Sequence, residues 1–324
     1  MKKNPQNAGL HVAAGEFTKA LELLRKQLGI TQYASFRQLF VDIYTLSKVK
    51  MHTLPHSSPL DYRLRFVDQP IVCLTLQMLQ KMFTKGKQMT TDGNFEGAIV
   101  AFRNCLQSVP LLAITSEQAL TDVKKLVSML VEYITAMRVE IERQKLQTQK
   151  TEATAEATVR MAELSCYMTL CGMDRAHKFL VYKNALQSNY KIQNFITAAH
   201  FARLVLDLEP TGLFANKPDV IPKFKKYYAS FQQKGTNAHR LDFNQNLNVD
   251  LQEINGYLCM STLRPLEDAR AQSTWKCPLC GSIVARAAVQ GQGDQQMCPT
   301  CLLCPLDEDV MGLNIKIEKA GSSN

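Results

Sequence analysis

The chain has 324 residues, of which 46% are hydrophobic, and a formal net charge of +9 at pH 7. This length allows two domains, and the apolar fraction excludes a wholly disordered chain. No stretch approaches the ~18 apolar residues of a membrane span, and the N-terminal MKKNPQNAG lacks the apolar core of a signal peptide. The ten cysteines therefore indicate reduced thiols in a cytosolic setting.

Helices are predicted over most of residues 1–238, because apolar residues recur there at helical spacing. In the first of them Ala20 and Leu24 lie on one apolar stripe, and Gly29 is the expected end of the helix. The predicted helices lie within 14–48 (two), near 73–86 and 95–108, from 115 over about 30 residues, and near 155–171, 175–190, 195–208 and 217–233.

An F-x-x-A pattern recurs three times within these helices. Phe17 is followed by Ala20, and the same spacing returns at 95–98 and 195–198, where a proline follows the later part of the helix. This is the pattern of the second helix in a tetratricopeptide-type hairpin, in which alanine allows close approach of the helices. The sequence therefore favours an α-solenoid or tetratricopeptide-like helical stack over 1–238, with ordinary amphipathic helices as the alternative.

One long segment, residues 49–75, breaks the helical pattern. It contains three prolines, and its apolar side chains alternate with charged ones, which is typical of an extended or hairpin segment. We expect a β-hairpin that protrudes between helices, and its apolar residues are candidate partner-binding residues: Leu60, Tyr62, Leu64 and Phe66. The alternative is that these side chains pack back onto the helices.

Two CxxC pairs near the C-terminus carry the sharpest chemical signal. Cys277 and Cys280 form the first pair, Cys298 and Cys301 the second, and 17 residues separate the pairs. This spacing is typical of a closed four-thiolate zinc site, in which the metal stabilises the fold and leaves no position for a catalytic water. Cys304 is an alternative ligand. We therefore predict structural Zn²⁺ in a small β-rich zinc-knuckle domain, residues 239–324, that follows the helical domain.

The charge distribution argues against a nucleic-acid role for this small domain. Residues 239–324 hold 7 Lys and Arg against 10 Asp and Glu, so the positive charge belongs to the helical part, whereas a ribbon that grips phosphate should itself be basic. Nucleotide-binding and hydrolase motifs are absent from the sequence, and the six histidines are scattered. We therefore expect no enzyme. The alternative function is a zinc-ribbon nucleic-acid or transcription-type adaptor with a helical-repeat half.

Several stretches of the chain, taken in order, resemble the C-terminal region of the coatomer alpha subunit. The helical ones are GITQYASFRQLFVDIY (29–44), GNFEGAIVAFRNCLQSVPLL (93–112), EYITAMRVEIERQKL (132–146) and NFITAAHFARLVLDLEP (194–210). The later ones are RPL (264–266), WKCPLCG (275–281) and DVMGLNI (309–315). The resemblance covers the last quarter or so of that large subunit, so we expect an excised C-terminal domain.

The resemblance implies a non-catalytic component of the COPI vesicle coat that acts in Golgi-to-ER and intra-Golgi transport. It also implies docking of the epsilon subunit, a tetratricopeptide protein that closes around a protruding hairpin, for which 49–75 is the natural counterpart. Contacts with other coatomer subunits, a cytoplasmic location and peripheral association with Golgi membranes and COPI vesicles follow from the same resemblance, and no nucleic-acid partner is expected. The four-cysteine set depends on its spacing alone.

Overall fold

The computed structural model describes residues 7–51, 60–63, 65–66, 69–70, 72, 74–114, 116–148, 155–243, 258–266, 273–289, 296–306, 310 and 312. Within these residues the chain is mainly helical, as predicted. The helices are α1 Ala8–Ala14, α2 Phe17–Leu28, α3 Phe36–Leu46, α4 Leu76–Thr91, α5 Phe95–Ser108, α6 Glu117–Thr148, α7 Ala155–Thr169, α8 Arg175–Lys191, α9 Phe195–Leu206 and α10 Val220–Lys234.

The strands are short and form two-stranded antiparallel pairs. They are β1 Lys48–Met51, β2 Leu60–Arg63, β3 Arg65–Phe66, β4 Gln69–Pro70, β5 Thr274–Lys276 and β6 Ile283–Ala285, paired as β1–β2, β3–β4 and β5–β6. Single 3₁₀ turns occupy Val109–Leu111, Glu209–Thr211 and Arg286–Ala288.

The three F-x-x-A copies mark the starts of three helices. Helices α2, α5 and α9 begin at their phenylalanine, and Ala20, Ala98 and Ala198 are each fully buried. A side chain as small as alanine at this position lets a neighbouring helix approach closely, which is the physical reason for the recurrence. Gly29 ends α2 in the left-handed conformation, with φ 67°, as the sequence predicts.

The chain divides into two compact units. Unit 1 comprises 1–88, 100–131 and 270–324, and unit 2 comprises 89–99 and 132–269. Unit 1 therefore contains both the N-terminal helices and the two CxxC pairs. The domain boundary at residue 239, drawn from the change in sequence character, stays a prediction.

Unit 1 has an apolar core in which α4 and α5 approach closely. Phe102 on α5 is fully buried and its ring lies 5.6 Å from that of Phe83 on α4, centroid to centroid. The close approach depends on Gly86, where an added Cβ would collide with the Phe102 ring. The glycine thus allows a large aromatic side chain to fill the space between the two helices.

The segment that we predicted to be extended, 49–75, contains paired strands. In β1–β2 the residue pairs run from Lys48 with Arg63 to Met51 with Leu60, and in β3–β4 Phe66 pairs with Gln69. The side chains of Leu60, Tyr62 and Phe66, and all of Leu64, lie outside the described residues, as do 52–59 between β1 and β2. The hairpin pairing is thus present, and its protrusion stays a prediction.

Unit 2 contains a run of helices in which α7, α8, α9 and α10 each pack against the next. A buried polar chain lies beside this run. The Tyr133 hydroxyl accepts the Asp174 backbone N–H at 3.0 Å and is 2.9 Å from Nδ1 of His177, whose Nε2 is 3.0 Å from the Thr91 hydroxyl. Each polar atom has a partner, so the buried histidine is best explained as structural.

Candidate metal centre

The first CxxC pair lies in the turn of a small hairpin. Strands β5 and β6 pair antiparallel, with Lys276 opposite Ile283, and the Cys277 amide donates to the Ser282 carbonyl at 2.9 Å. Gly281 then donates its N–H to the Cys277 carbonyl at 2.9 Å, with φ 74°. This left-handed turn brings the Cys277 and Cys280 sulfurs to the same side of the chain. Strand β6, which follows the first pair, thus pairs back to β5.

The second pair repeats this turn with a different residue at its end. Leu302 donates its N–H to the Cys298 carbonyl at 3.0 Å, as Gly281 does to Cys277, and it is left-handed too, with φ 59°. A leucine in that conformation is under backbone strain. The Cys298 amide donates to the Cys304 carbonyl at 2.8 Å, which ties the chain beyond the turn to its start.

The structure brings the four predicted cysteines together. The sulfurs of Cys277, Cys280, Cys298 and Cys301 all lie within 4.8 Å of one another, and all four residues are buried. The Cys277–Cys301 and Cys280–Cys298 sulfur pairs are 3.6 and 3.5 Å apart. A tetrahedron with Zn–S bonds of about 2.3 Å has edges of about 3.8 Å, whereas a disulfide bond is about 2.05 Å long. The spacing therefore fits a tetrahedral metal site and not a disulfide.

The buried cluster changes the proton affinity of its four thiols in opposite directions. Burial raises the pKa of the Cys280 thiol well above its ordinary range. Cys298 differs, since hydrogen bonds from Cys277, Cys280 and Cys301 lower the pKa of its thiol well below that range. Metal binding would convert all four thiols to thiolates, and a divalent cation at their centre would offset the repulsion between these buried charges. The donor set, all sulfur and tetrahedral, is the one that Zn²⁺ prefers.

Cys304 lies beside this four-sulfur cluster and is fully buried. Its Sγ is a hydrogen-bond donor to the Leu28 carbonyl at the end of α2, at 3.3 Å. Hydrogen bonds from Cys277 and Cys301 lower the pKa of the Cys304 thiol to about 5. Metal binding would remove the protons of those two donors, and Cys304 is not one of the four sulfurs that all lie within 4.8 Å of one another. The geometry therefore favours the four CxxC cysteines over Cys304, which we had left open as an alternative ligand.

Helix α5 holds the second CxxC turn from outside. The Arg103 guanidinium donates from Nε to the Thr300 carbonyl and from Nη2 to the Pro299 carbonyl, both at 3.0 Å, and Gln107 donates to the Cys301 carbonyl at 2.9 Å. Burial lowers the pKa of Arg103, and the nearby cysteine sulfurs act in the opposite direction. These positioning residues were not predicted, because nothing in the sequence links α5 to a turn almost 200 residues later.

The chain after α2 completes the enclosure of the cysteine pairs within unit 1. The backbone N–H groups of Thr31 and Gln32 both donate to the Leu303 carbonyl, at 3.1 and 3.2 Å. Ser282, between β5 and β6, donates from Oγ to Thr300 Oγ1 at 2.9 Å and so joins the two turns directly. The cysteine cluster is therefore built into the core of unit 1.

Two features now define the class of protein: a mainly helical scaffold and a four-cysteine cluster whose geometry fits a structural metal. The family model for the C-terminus of the coatomer (COPI) alpha subunit matches residues 2–320. The chain belongs to this family.

Individual relatives agree with this assignment. The chain is 29% identical over 316 residues to coatomer subunit alpha-2 of Oryza sativa subsp. japonica, a match that covers 94% of the chain and 24% of that protein. It is 26% identical over 317 residues to coatomer subunit alpha of Dictyostelium discoideum (97% and 24%), and 25% identical over 290 residues to that of Saccharomyces cerevisiae (86% and 22%). The chain thus spans about a quarter of the length of these relatives.

Among the described residues, the helices are too short or too polar to cross a bilayer.

Proposed function

We propose that this chain is a non-catalytic scaffold and interaction domain of the COPI coat, and that it docks the epsilon subunit through the hairpin in 49–75. The observation that carries the proposal is the family match over residues 2–320. The antiparallel β1–β2 pair between α3 and α4 supports it, because an extended segment offers a repeat protein both main-chain hydrogen bonds and alternate side chains.

Within such a coat the domain acts with the other coatomer subunits in Golgi-to-ER and intra-Golgi vesicle transport. Its place is cytoplasmic, on the surface of Golgi membranes and of COPI-coated vesicles, where the assembled coat holds it peripherally. No nucleic-acid partner belongs to this function.

The docking proposal is tested by the double variant Tyr62→Ala with Phe66→Ala. Truncation of aromatic anchors in an interface typically costs ~2 kcal/mol or more, so we expect affinity for a purified epsilon subunit to fall by about tenfold or more, with little change in Tm. A matched control, Val41→Ala with Leu180→Ala, removes two half-exposed apolar side chains outside the hairpin and should bind normally. A large fall in Tm with unaltered affinity would instead make the hairpin residues part of the core.

We further propose that Cys277, Cys280, Cys298 and Cys301 hold one structural Zn²⁺. Four protein thiolates complete the tetrahedron, so zinc bound there stabilises the fold and has no open position for a substrate or a water. The observation that supports this is the set of sulfur distances, 3.5 and 3.6 Å, between residues of opposite pairs. Arg103, Gln107 and Ser282 keep the two turns in place around the ion.

Elemental analysis of protein purified without chelator tests the metal proposal. We expect about one zinc per chain, loss of zinc in Cys280→Ser and Cys301→Ser, and retention in Cys304→Ser, whose thiol is not one of the four clustered sulfurs. The proposal fails if the native protein holds no zinc and its four cluster thiols react freely. Loss of zinc in Cys304→Ser with retention in Cys301→Ser would reassign the fourth ligand.

A further inference from the structure

The second CxxC turn holds the chain between α2 and α3. The Leu303 carbonyl, just after the second cysteine pair, accepts the backbone N–H groups of both Thr31 and Gln32, at 3.1 and 3.2 Å. Cys304 adds a hydrogen bond from its Sγ to the Leu28 carbonyl at the end of α2, at 3.3 Å. Leu303 and Cys304 are both fully buried, so these bonds are shielded from water on the side of the cysteine cluster. The chain between α2 and α3 is therefore fastened to the metal-binding turn by three hydrogen bonds.

Helix α3 follows this connection and leads directly into the hairpin. The Phe36 amide, at the start of α3, donates to the Tyr33 carbonyl at 3.0 Å, and the Phe36 side chain is fully buried. Only Ser47 separates the end of α3 at Leu46 from the start of β1 at Lys48. A single residue is too short to act as a flexible linker. The direction of β1 is therefore set by the position of α3.

The junction between α3 and β1 is itself packed. Ser47 is fully buried, and its hydroxyl lies 3.1 Å from the Ala13 carbonyl of α1 and 2.8 Å from the Tyr44 carbonyl of α3. The Lys48 ammonium lies 3.8 Å from the centroid of the Tyr44 ring. Helix α1 also packs against α3 and against β4, the last strand of the segment. Because these contacts join α1, α3 and the base of the hairpin, a shift of α3 moves the hairpin as well.

We propose that metal occupancy of the four-cysteine cluster sets the direction of the hairpin and thereby its affinity for a partner. The inference rests on the zinc site and on the docking of the epsilon subunit proposed above. With zinc bound, the second CxxC turn is fixed and presents the Leu303 carbonyl to the chain between α2 and α3. Without zinc this turn loosens, and α3 and the hairpin take up several directions. Only the fraction of molecules with the competent direction then binds the partner, so the apparent affinity falls by that fraction.

A coupling of this kind acts equally in both directions. If zinc raises the affinity for the epsilon subunit by a given factor, the epsilon subunit raises the affinity for zinc by the same factor. Couplings between two sites of one protein typically amount to about 5–150-fold. We expect a factor of about tenfold or more here, because three buried or partly buried hydrogen bonds connect the metal-binding turn to the chain before α3.

Two titrations of the 324-residue chain measure this factor. The first compares the affinity of the zinc-loaded and the zinc-free chain for a purified epsilon subunit. The second measures zinc affinity by competition with a chromophoric chelator, with and without a saturating amount of the epsilon subunit. We expect each affinity to change by about tenfold or more, and the two factors to agree.

Hydrogen exchange separates a local change from general unfolding. On removal of zinc, the amides of Thr31 and Gln32 and those of the first turn of α3 should exchange faster, because they lose the support of the CxxC turn. The amides of α8, α9 and α10, which lie in unit 2, should keep their protection. Loss of protection in those helices too would show that the chain simply unfolds without zinc, and would overturn the inference.

Variants with the metal still bound test the route of the coupling. Thr31→Pro deletes one N–H donor to Leu303, Cys304→Ala deletes the sulfur that contacts the end of α2, and both keep the four cluster cysteines. The double variant should hold about one zinc per chain, and its affinity for the epsilon subunit should change by less than about threefold when zinc is removed. Cys304→Ala alone, which leaves the backbone untouched, should fall between the double variant and the native chain. Ala34→Pro is the matched control, because Ala34 donates only to the exposed Gln32 side chain and follows the first residue of a turn, where proline is favoured.

Two further results would overturn the inference alone. One is that the epsilon subunit binds equally tightly to the zinc-loaded and the zinc-free chain, which would make the two sites independent. The other is that the double variant responds to zinc as strongly as the native chain does. Failure of the earlier proposals looks different: a zinc-loaded chain that binds no epsilon subunit refutes the docking, and a native chain without zinc refutes the metal site. Either of those results would overturn the coupling together with the proposal on which it rests.

Discussion

The contact of Arg103 with the second CxxC turn allows a quantitative test of the metal centre. Arg103→Met keeps most of the aliphatic stem and deletes the guanidinium, so both hydrogen bonds to the Pro299 and Thr300 carbonyls are lost. Hydrogen bonds that involve a charged group contribute about 1.5–3 kcal/mol each. Because Arg103 is only partly buried, we take the lower limit, which gives a loss of about 3 kcal/mol for the two bonds.

This loss should appear mainly in zinc affinity. The two carbonyls belong to the residues between Cys298 and Cys301, so the bonds hold the turn that presents two of the four sulfurs. A loss of about 3 kcal/mol corresponds to a decrease of about 100-fold in the binding constant. Arg103→Lys, which keeps the charge and loses the fork of two donors, should fall between Met and the native residue.

Competition with a chromophoric chelator measures the affinity, and thermal melts with and without EDTA measure the stability that zinc supplies. Arg37→Met on α3 is the matched control, since Arg37 is exposed and its side chain makes no hydrogen bond or ion pair with the described CxxC turns. If Arg103→Met binds zinc within about twofold of the native protein and melts at the same temperature, the guanidinium does not position the turn.

Three further predictions concern single positions. Gly86→Ala should lower the free energy of unfolding by about 1 kcal/mol in a urea titration. Overpacking of the added methyl group against Phe102 costs about 1–3 kcal/mol, which exceeds the ~1 kcal/mol gain in helix propensity. An increase in stability would contradict the close packing. Gly281→Ala should cost about 1 kcal/mol through its positive φ alone, since the added Cβ would meet no atom closer than 3.7 Å, and an unchanged urea midpoint would show that the turn relaxes. His200 has its pKa lowered by burial, so the unfolded chain binds more protons than the native one below the unfolded value of about 6.5. Its contribution to stability is therefore lost as the pH falls, and His200→Gln should reduce the fall in Tm between about pH 7 and pH 5, with an unchanged slope as the contrary result.

The local sequence predicted the helices well where residues at the helix ends mark the start or the end of the helix. Gly29 ends α2, and α9 begins at the phenylalanine of its F-x-x-A pattern. Helix α1, seven residues at Ala8–Ala14, was not predicted, because so short a helix gives almost no periodicity. Its start depends on Asn7, which caps the Leu10 amide and also donates to the distant Leu112 carbonyl at 2.6 Å. The contact with Leu112 cannot be predicted from the local sequence, because the two residues are 105 positions apart.

For the cysteine cluster, too, the local features were predicted from the sequence and the contacts between distant residues were not. Its four ligand candidates followed from spacing, because a CxxC turn fixes the geometry of each pair by itself. The preference for these four over Cys304 did not follow, since the Cys304 sulfur contacts the Leu28 carbonyl, 276 residues earlier in the chain. The partners on α5, Arg103 and Gln107, were not predicted for the same reason: a side chain that supports a metal turn from another helix carries no motif.

The division of unit 1 into three separate stretches of chain has a consequence for biosynthesis. The carbonyls of Gln27 and Leu28 accept hydrogen bonds from Gly312 and Cys304, so the ribosome makes the two donors long after the two acceptors. At about 5–20 residues per second, the ribosome adds the intervening chain in on the order of 15–55 s, whereas a single helical hairpin folds far faster. The end of α2 therefore leaves the ribosome long before the residues that cover it. A product truncated shortly before Cys298 would keep α1–α10 and still expose the buried side chain of Leu28, and exposed apolar side chains are a signal by which chaperones and proteases recognise an unfolded chain.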